Sequence, residues 1–106
     1  MSNLIAGNIH EITIPKNKEL YSLIVIRHGG KNTVRIIDEI INEPKNANQL
    51  AKALGLDYKT VTYHLDIICE HEYFVRVKFG SNYSYFPSDK LIKNLEEYMI
   101  IKENLK

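Results

Sequence analysis

The stretch Gln49-Leu-Ala-Lys-Ala-Leu-Gly-Leu-Asp-Tyr-Lys-Thr-Val-Thr-Tyr-His-Leu65 limits what this chain can fold into more than any other. Two helices that cross closely need a small residue at the crossing, a glycine in the tight turn and an aliphatic anchor on the second helix; Ala51, Gly55 and Val61 stand in that order. A short helix over about Ala47 to Leu54 would bury Leu50, Ala51 and Leu54. Gly55 accepts the left-handed backbone that stops it, and Leu56 plugs the corner. Asp57 is a good N-cap for a second helix running to about Glu70, with Val61, Leu65 and Ile68 on one face. With that face turned inward, Tyr58, Lys59, Thr62 and Tyr63, with Thr60 beside them, are candidate contacts to a DNA groove. Lys59 can donate to guanine or phosphate, and the hydroxyls can bond either phosphate or base edges.

The residues that follow suit that reading. Tyr73 to Phe79 alternates aromatic or β-branched residues with Arg76 and Lys78, Gly80-Ser81-Asn82 is a turn, and Tyr83 to Phe86 returns as a second strand. Arg76, Lys78, Ser81 and Asn82 on this hairpin can grip the nucleic-acid backbone or enter a minor groove. Upstream, Gly29-Gly30 is a break, after which Val34, Ile36, Ile37, Ile40 and Ile41 mark an amphipathic helix ending at Glu43-Pro44. Lys31, Asn32 and Thr33 open that helix, whose free N–H groups can hold a phosphate.

The flanks are less determined. Ile9 to Ile14 is β-branched and stops at Pro15, which gives a strand or extended arm over 1–17. Residues 18–28 fit a helix with a broad apolar face, although Ile24-Val25-Ile26 also suits a buried strand; helix is the reading adopted. Pro87-Ser88-Asp89 caps a last helix over 88–106, in which Leu91, Ile92, Leu95, Tyr98, Met99 and Leu105 recur at helical spacing. A three-helix core is complete without this stripe, so it is expected to face a second copy of the chain.

A length of 106 residues allows one ordinary core, and 44% apolar with 25% charged residues excludes disorder or a coiled-coil rod. The net charge of +1 is the adverse fact, because nucleic-acid binders usually carry a strongly basic balance. No run approaches the ~20 apolar residues of a membrane span, and no basic patch with an apolar signal region opens the chain. A cytoplasmic protein without a membrane partner is expected. The single cysteine, Cys69, excludes an intramolecular disulfide and fits a reducing compartment.

From Arg27-His-Gly-Gly-Lys through Leu54-Gly-Leu-Asp-Tyr-Lys-Thr-Val-Thr-Tyr-His-Leu to Tyr85-Phe-Pro-Ser, most of the chain resembles small archaeal winged-helix regulators of the arsenic-repressor (ArsR) type. The resemblance implies a homodimeric transcriptional regulator whose two recognition helices meet successive major grooves of double-stranded DNA. It also implies a subunit interface built from the first and last helices, here Leu20, Leu23 and Ile24 with Leu91, Leu95, Tyr98 and Met99. Metal sensors of that family carry a cysteine pair near the start of the recognition helix, where this chain has Tyr58 and Lys59. No thiolate metal site is therefore carried over.

Other chemistries find less support. His64, Cys69 and His71 could ligate zinc, but His64 flanks the buried face and Cys69 adjoins Ile68, so packing is the default reading. Tyr58, Tyr63, Tyr73, Tyr83 and Tyr85 could stack on single-stranded bases, but most fall on a hairpin where packing is the commoner role. There is no glycine-rich phosphate loop, paired-histidine helix or nucleophile elbow, so neither an enzyme nor a cofactor is expected. The expected architecture is mainly α with a β-hairpin wing: a winged helix-turn-helix core over 31–86, an N-terminal extension and a C-terminal dimerisation helix. The rival is a winged-helix module that docks onto proteins of the transcription machinery.

Overall fold

Residues 16–105 are described in the computed structural model, so the arm expected at Ile9 to Ile14 lies outside the described residues. The first helix, α1 (Lys18–Tyr21), is opened by Asn17, whose side chain accepts from the Leu20 N–H. The winding then widens into a π-helical turn, Ser22–Ile26, closed by the Arg27 N–H donating to the Ser22 carbonyl at 2.9 Å. The helical reading of this segment thus holds over 18–26, with a wider second half that periodicity at 3.6 residues does not anticipate.

Helix α2 (Gly30–Asn42) buries Thr33, Ile36, Ile37 and Ile40, one stripe at i, i+3, i+4 and i+7. Helix α3 (Ala47–Leu54) begins with a capping box in which Asn46 and Gln49 satisfy each other's backbone N–H groups, and it ends at Gly55, where φ is 67°. Helix α4 (Tyr58–Glu70) is capped by Asp57 and turns Val61, His64, Leu65 and Ile68 inward. These elements fall where the sequence places them because caps, breaks and apolar stripe agree at each end.

Strand β1 (Lys45–Asn46) is an addition to that scheme. It pairs antiparallel with β3 (Asn82–Pro87), which in turn pairs antiparallel with β2 (Phe74–Phe79), giving the order β1-β3-β2. The register sets Arg76 opposite Tyr85 and Lys78 opposite Tyr83, while Lys45 faces Tyr85 from the other side. Two residues after Pro44 carry no alternation, so only the pairing reveals a strand.

The C-terminal helix is not continuous. It divides at Asn94 into α5 (Asp89–Lys93) and α6 (Leu95–Lys102), followed by a 3-10 turn, Glu103–Leu105. Asn94 back-bonds through Nδ2 to the Lys90 carbonyl at 2.8 Å and accepts from Asn17 Nδ2 at 3.2 Å, which competes with regular winding. The break lets α6 lie against α1 and the π turn of the same chain.

The interior of the fold takes five of the residues expected at a subunit contact. Leu20, Ile24, Leu91 and Tyr98 are 0% exposed and Leu23 is 2% exposed, all within the chain's own core. They are closed off by α2 and by one another, so a partner subunit has no access to them. Burying each such side chain contributes roughly 1.5–3 kcal/mol. Tyr98 donates its hydroxyl to Asp38 Oδ1 at 2.6 Å, and burial raises its pKa far above the ordinary tyrosine range.

Candidate nucleic-acid interface

Helix α4 is held by its aliphatic side, which leaves its other side bare. Tyr58 is 54% and Tyr63 58% exposed, Lys59 is exposed, and Thr62 is half-buried. Lys59 and Tyr63 are one turn apart and share a face. The Thr62 hydroxyl donates to the Lys59 carbonyl at 3.1 Å, so its oxygen stays free to accept. Thr60 serves the cap: its N–H donates to Asp57 Oδ1 at 2.8 Å and its hydroxyl to Oδ2 at 3.0 Å. Those bonds hold the Asp57 carboxyl below the usual carboxylate range, the backbone bond from Thr60 being the largest cause. Asp66 and Glu70 give the second half of α4 the wrong sign for phosphate, so only the first half suits a groove.

The start of α2 meets the middle of α4. His64 is 4% exposed, with Nδ1 3.3 Å from Thr33 Oγ1 and 3.5 Å from the Arg27 guanidinium. A guanidinium only donates, so Nδ1 accepts and the ring proton sits on Nε2. Burial, then the Arg27 charge, lowers the His64 pKa and keeps the ring neutral. Thr33 is itself 0% exposed with its hydroxyl toward His64 and the Gly29 carbonyl, and the N–H groups of Asn32 and Thr33 donate to that carbonyl at 3.1 and 3.2 Å, which corrects the expectation that they are free for a phosphate. Lys31 stays exposed, while Asn32 is half-buried and accepts from Arg35 Nη1 at 3.3 Å.

On the hairpin, Arg76, Lys78, Ser81 and Asn82 are all exposed. Tyr83 lies under both cations, 4.6 Å from Arg76 and 6.0 Å from Lys78 measured to the ring centroid. The Tyr85 hydroxyl across the ladder from Arg76 raises the pKa of that guanidinium. The ring therefore limits how far the two cations swing. A cleft of ~90 Å³ separates Asn48 and Tyr58 from Ser81, Asn82 and Tyr83, so α4 and the hairpin flank one groove. The opposite hairpin face exposes Val75 at 48%, Val77 at 42% and Phe79 at 58%.

Charge pairing is uneven. Among the described residues the ion pairs join Lys45 to Glu39 and Glu43, Lys90 to Glu19, and Lys102 to Asp38. Lys31, Arg35, Lys52, Lys59, Arg76 and Lys78 have no ion pair among the described residues, and neither do Lys18 and Lys93 on α1 and α5. Arg35, Lys52 and Arg27 are cations of this region that the sequence pattern did not single out. Arg35 donates to the Leu54 carbonyl and to Asn32, joining α2 to the end of α3. No group of three or more His, Cys, Asp or Glu side chains suited to a metal occurs among the described residues. His71 lies 2.8 Å from Glu19, and Cys69 is half-buried with its thiol pKa pushed up by burial.

Of the seven residues expected at a subunit contact, Met99 remains 49% exposed and Leu95 half-buried; Ile92 at 56% and Ile100 at 45% extend the apolar surface. Ile41, Leu95 and Met99 line a shallow groove between α2 and α6. Among the described residues no helix is long and apolar enough to cross a membrane.

Two helices joined by a glycine turn, an antiparallel three-stranded sheet with an exposed hairpin, and helices closing the core behind them define a winged helix-turn-helix fold. The structure of reduced HlyU from Vibrio cholerae N16961 is similar to this chain, with a TM-score of 0.60 over 82% of this chain and 86% of that one, at 15% identity. No protein-family model and no curated protein matches the chain.

Proposed function

We propose that this chain is a cytoplasmic, homodimeric transcriptional regulator of the arsenic-repressor type that binds double-stranded DNA and is not an enzyme. The observation that carries the reading is the bare first half of α4. Lys59, Thr62 and Tyr63 face outward there, between Lys31 and a hairpin bearing Arg76 and Lys78, with no carboxylate paired to any of these cations among the described residues. Tyr58, Lys59, Thr62 and Tyr63 would enter the major groove; Lys31, Asn32, Arg76, Lys78, Ser81 and Asn82 would hold the backbone. Dimerisation would use Ile92, Leu95, Met99 and Ile100, the apolar surface that the core leaves uncovered.

A second reading has its own support: the exposed Val75, Val77 and Phe79 fit a protein partner better than a phosphate backbone. Mobility-shift titrations against genomic fragments at several salt concentrations separate the two. Salt-sensitive retardation of selected fragments is the expected result. No retardation at low salt would overturn the DNA reading and favour the protein partner.

A further inference from the structure

We propose that Arg27 is a phosphate clamp, holding one backbone phosphodiester of the duplex beside Tyr63; the proposal rests on the DNA-binding reading above. Arg27 follows the π turn, and its side chain reaches the flank of α4, where the guanidinium stands 5.8 Å from the Tyr63 ring centroid. It is half-buried, yet has no ion pair among the described residues. A guanidinium has five N–H donors. Here Nη1 reaches the His28 carbonyl at 3.4 Å, Nη2 reaches His64 Nδ1 at 3.5 Å, and Nε is buried without a partner. Both contacts lie at the long limit of a hydrogen bond, so most of the donor capacity is unused.

The buried Nε–H is unpaired at some cost, and an anion drawn to the exposed side of the fork would offset it. The neighbours favour a visiting anion, since His64 is neutral and Tyr63 offers only a π face. A planar fork matches two phosphate oxygens, and the ring fixes its orientation before binding. Tyr63 shares its helix face with Lys59, which places the clamp on the border of the same surface. Residues that flank a groove-entering helix meet backbone, not base edges, so the ligand is a phosphodiester of the bound duplex.

The test compares wild type, Arg27→Gln and Arg27→Lys on one fragment retained by wild type, with affinity measured across a salt series and folding checked by circular dichroism. Loss of one phosphate contact lowers the slope of log K against log salt by about 0.9. Arg27→Gln should show that drop with roughly ten-fold weaker binding at low salt, the size of one charged hydrogen bond, while Arg27→Lys keeps the slope. An unchanged slope in Arg27→Gln overturns the clamp, even if affinity falls, because a loss equal at every salt reports disturbed packing of Tyr63 and His64. If Arg27→Gln does not fold, the wild-type Arg27 Nε–H resonance decides, assigned by its absence from the Arg27→Lys spectrum. A shift on adding duplex supports the clamp and no shift overturns it. Wild type that binds no fragment at any salt refutes the DNA reading itself, a result distinct from either failure.

Discussion

Gly30→Ala is the substitution for which helix propensity and the structure predict opposite signs. Gly30 is the first residue of α2, and replacing glycine by alanine within a helix ordinarily stabilises by about 1 kcal/mol. A Cβ at Gly30, however, would lie 1.8 Å from the Ile24 carbonyl oxygen and 2.9 Å from its carbon, where real Cβ contacts stay beyond 3.0 Å. The obstacle is backbone of the π turn, which would have to retreat by more than an ångström. That turn carries Leu23 and Ile24, which are 2% and 0% exposed, so the retreat loosens the core. Overpacking of this kind costs about 2–3 kcal/mol, leaving a net loss of about 1–2 kcal/mol and a midpoint lower by roughly 5–15 °C. Gly55→Ala is the matched control: φ is 67° and nothing lies within 4 Å, so only backbone strain, about 1 kcal/mol, applies. Thermal unfolding followed at 222 nm measures both. A Gly30→Ala protein as stable as wild type, or more so, would show that the π turn does not press on α2 and would refute the reasoning.

The remaining predictions concern binding, pH and assembly. Lys59→Ala should weaken binding to a selected fragment by about 1–3 kcal/mol where it touches a base, whereas Lys78→Ala should weaken all fragments and flatten the salt slope; competition titrations separate the two. Glu19 accepts from Lys90 at 2.9 Å and Tyr73 at 3.1 Å and lies 2.8 Å from His71, contacts that lower its pKa to about 2, the His71 bond contributing most. Because the folded value is depressed, its contribution to stability is complete above the ordinary 4.5 and is lost as pH falls toward 2. Urea titrations should therefore show wild type and Glu19→Gln converging over that window, and a constant difference would contradict the assignment. Met99→Lys should convert a dimer to monomers in sedimentation while changing monomer stability by less than about 0.5 kcal/mol, since the side chain is 49% exposed.

What the sequence disclosed, and what it withheld, follows from the range of the signals. Helices α2 to α4 are legible from local signals: Gly29-Gly30 and Glu43-Pro44 as breaks, Asp57 as a cap, Gly55 as a terminator, and Ile36, Ile37 and Ile40 as a face, whereas the capping box at Asn46 shows only in the structure. The hairpin was legible from alternation around Gly80. The burial of Thr33 is not legible, because a position in the first helical turn does not tell which side of that turn meets α4. The stripe of Leu20, Leu23, Ile24, Leu91 and Tyr98 reads as a partner contact because the interruption at Asn94, which folds α6 back over α1, is a tertiary event involving Asn17. Apolar stripes state that a face is covered, not by which chain. Arg27 carries no pattern at all, and its place beside Tyr63 depends on five residues of π winding.

The same geometry bears on the net charge of +1, which by itself speaks against a nucleic-acid partner. A protein's field at a surface depends on which charges are neutralised locally, not on their total. Glu19 on α1, Asp38 and Glu39 on α2 and Glu43 just past its end are tied to Lys90 and Lys102 of the C-terminal helices and to Lys45 of β1. The cations left without ion pairs among the described residues include Arg27, Lys31, Lys59, Arg76 and Lys78, which border the bare face of α4 and the hairpin. With those four acids committed to cations of their own, a nearly neutral chain can still present phosphate with several unpaired cations. The weakness of the arrangement lies in Asp66 and Glu70, one and two turns beyond Thr62. They would penalise any docking that slides toward the end of α4, and so favour contact through its first two turns.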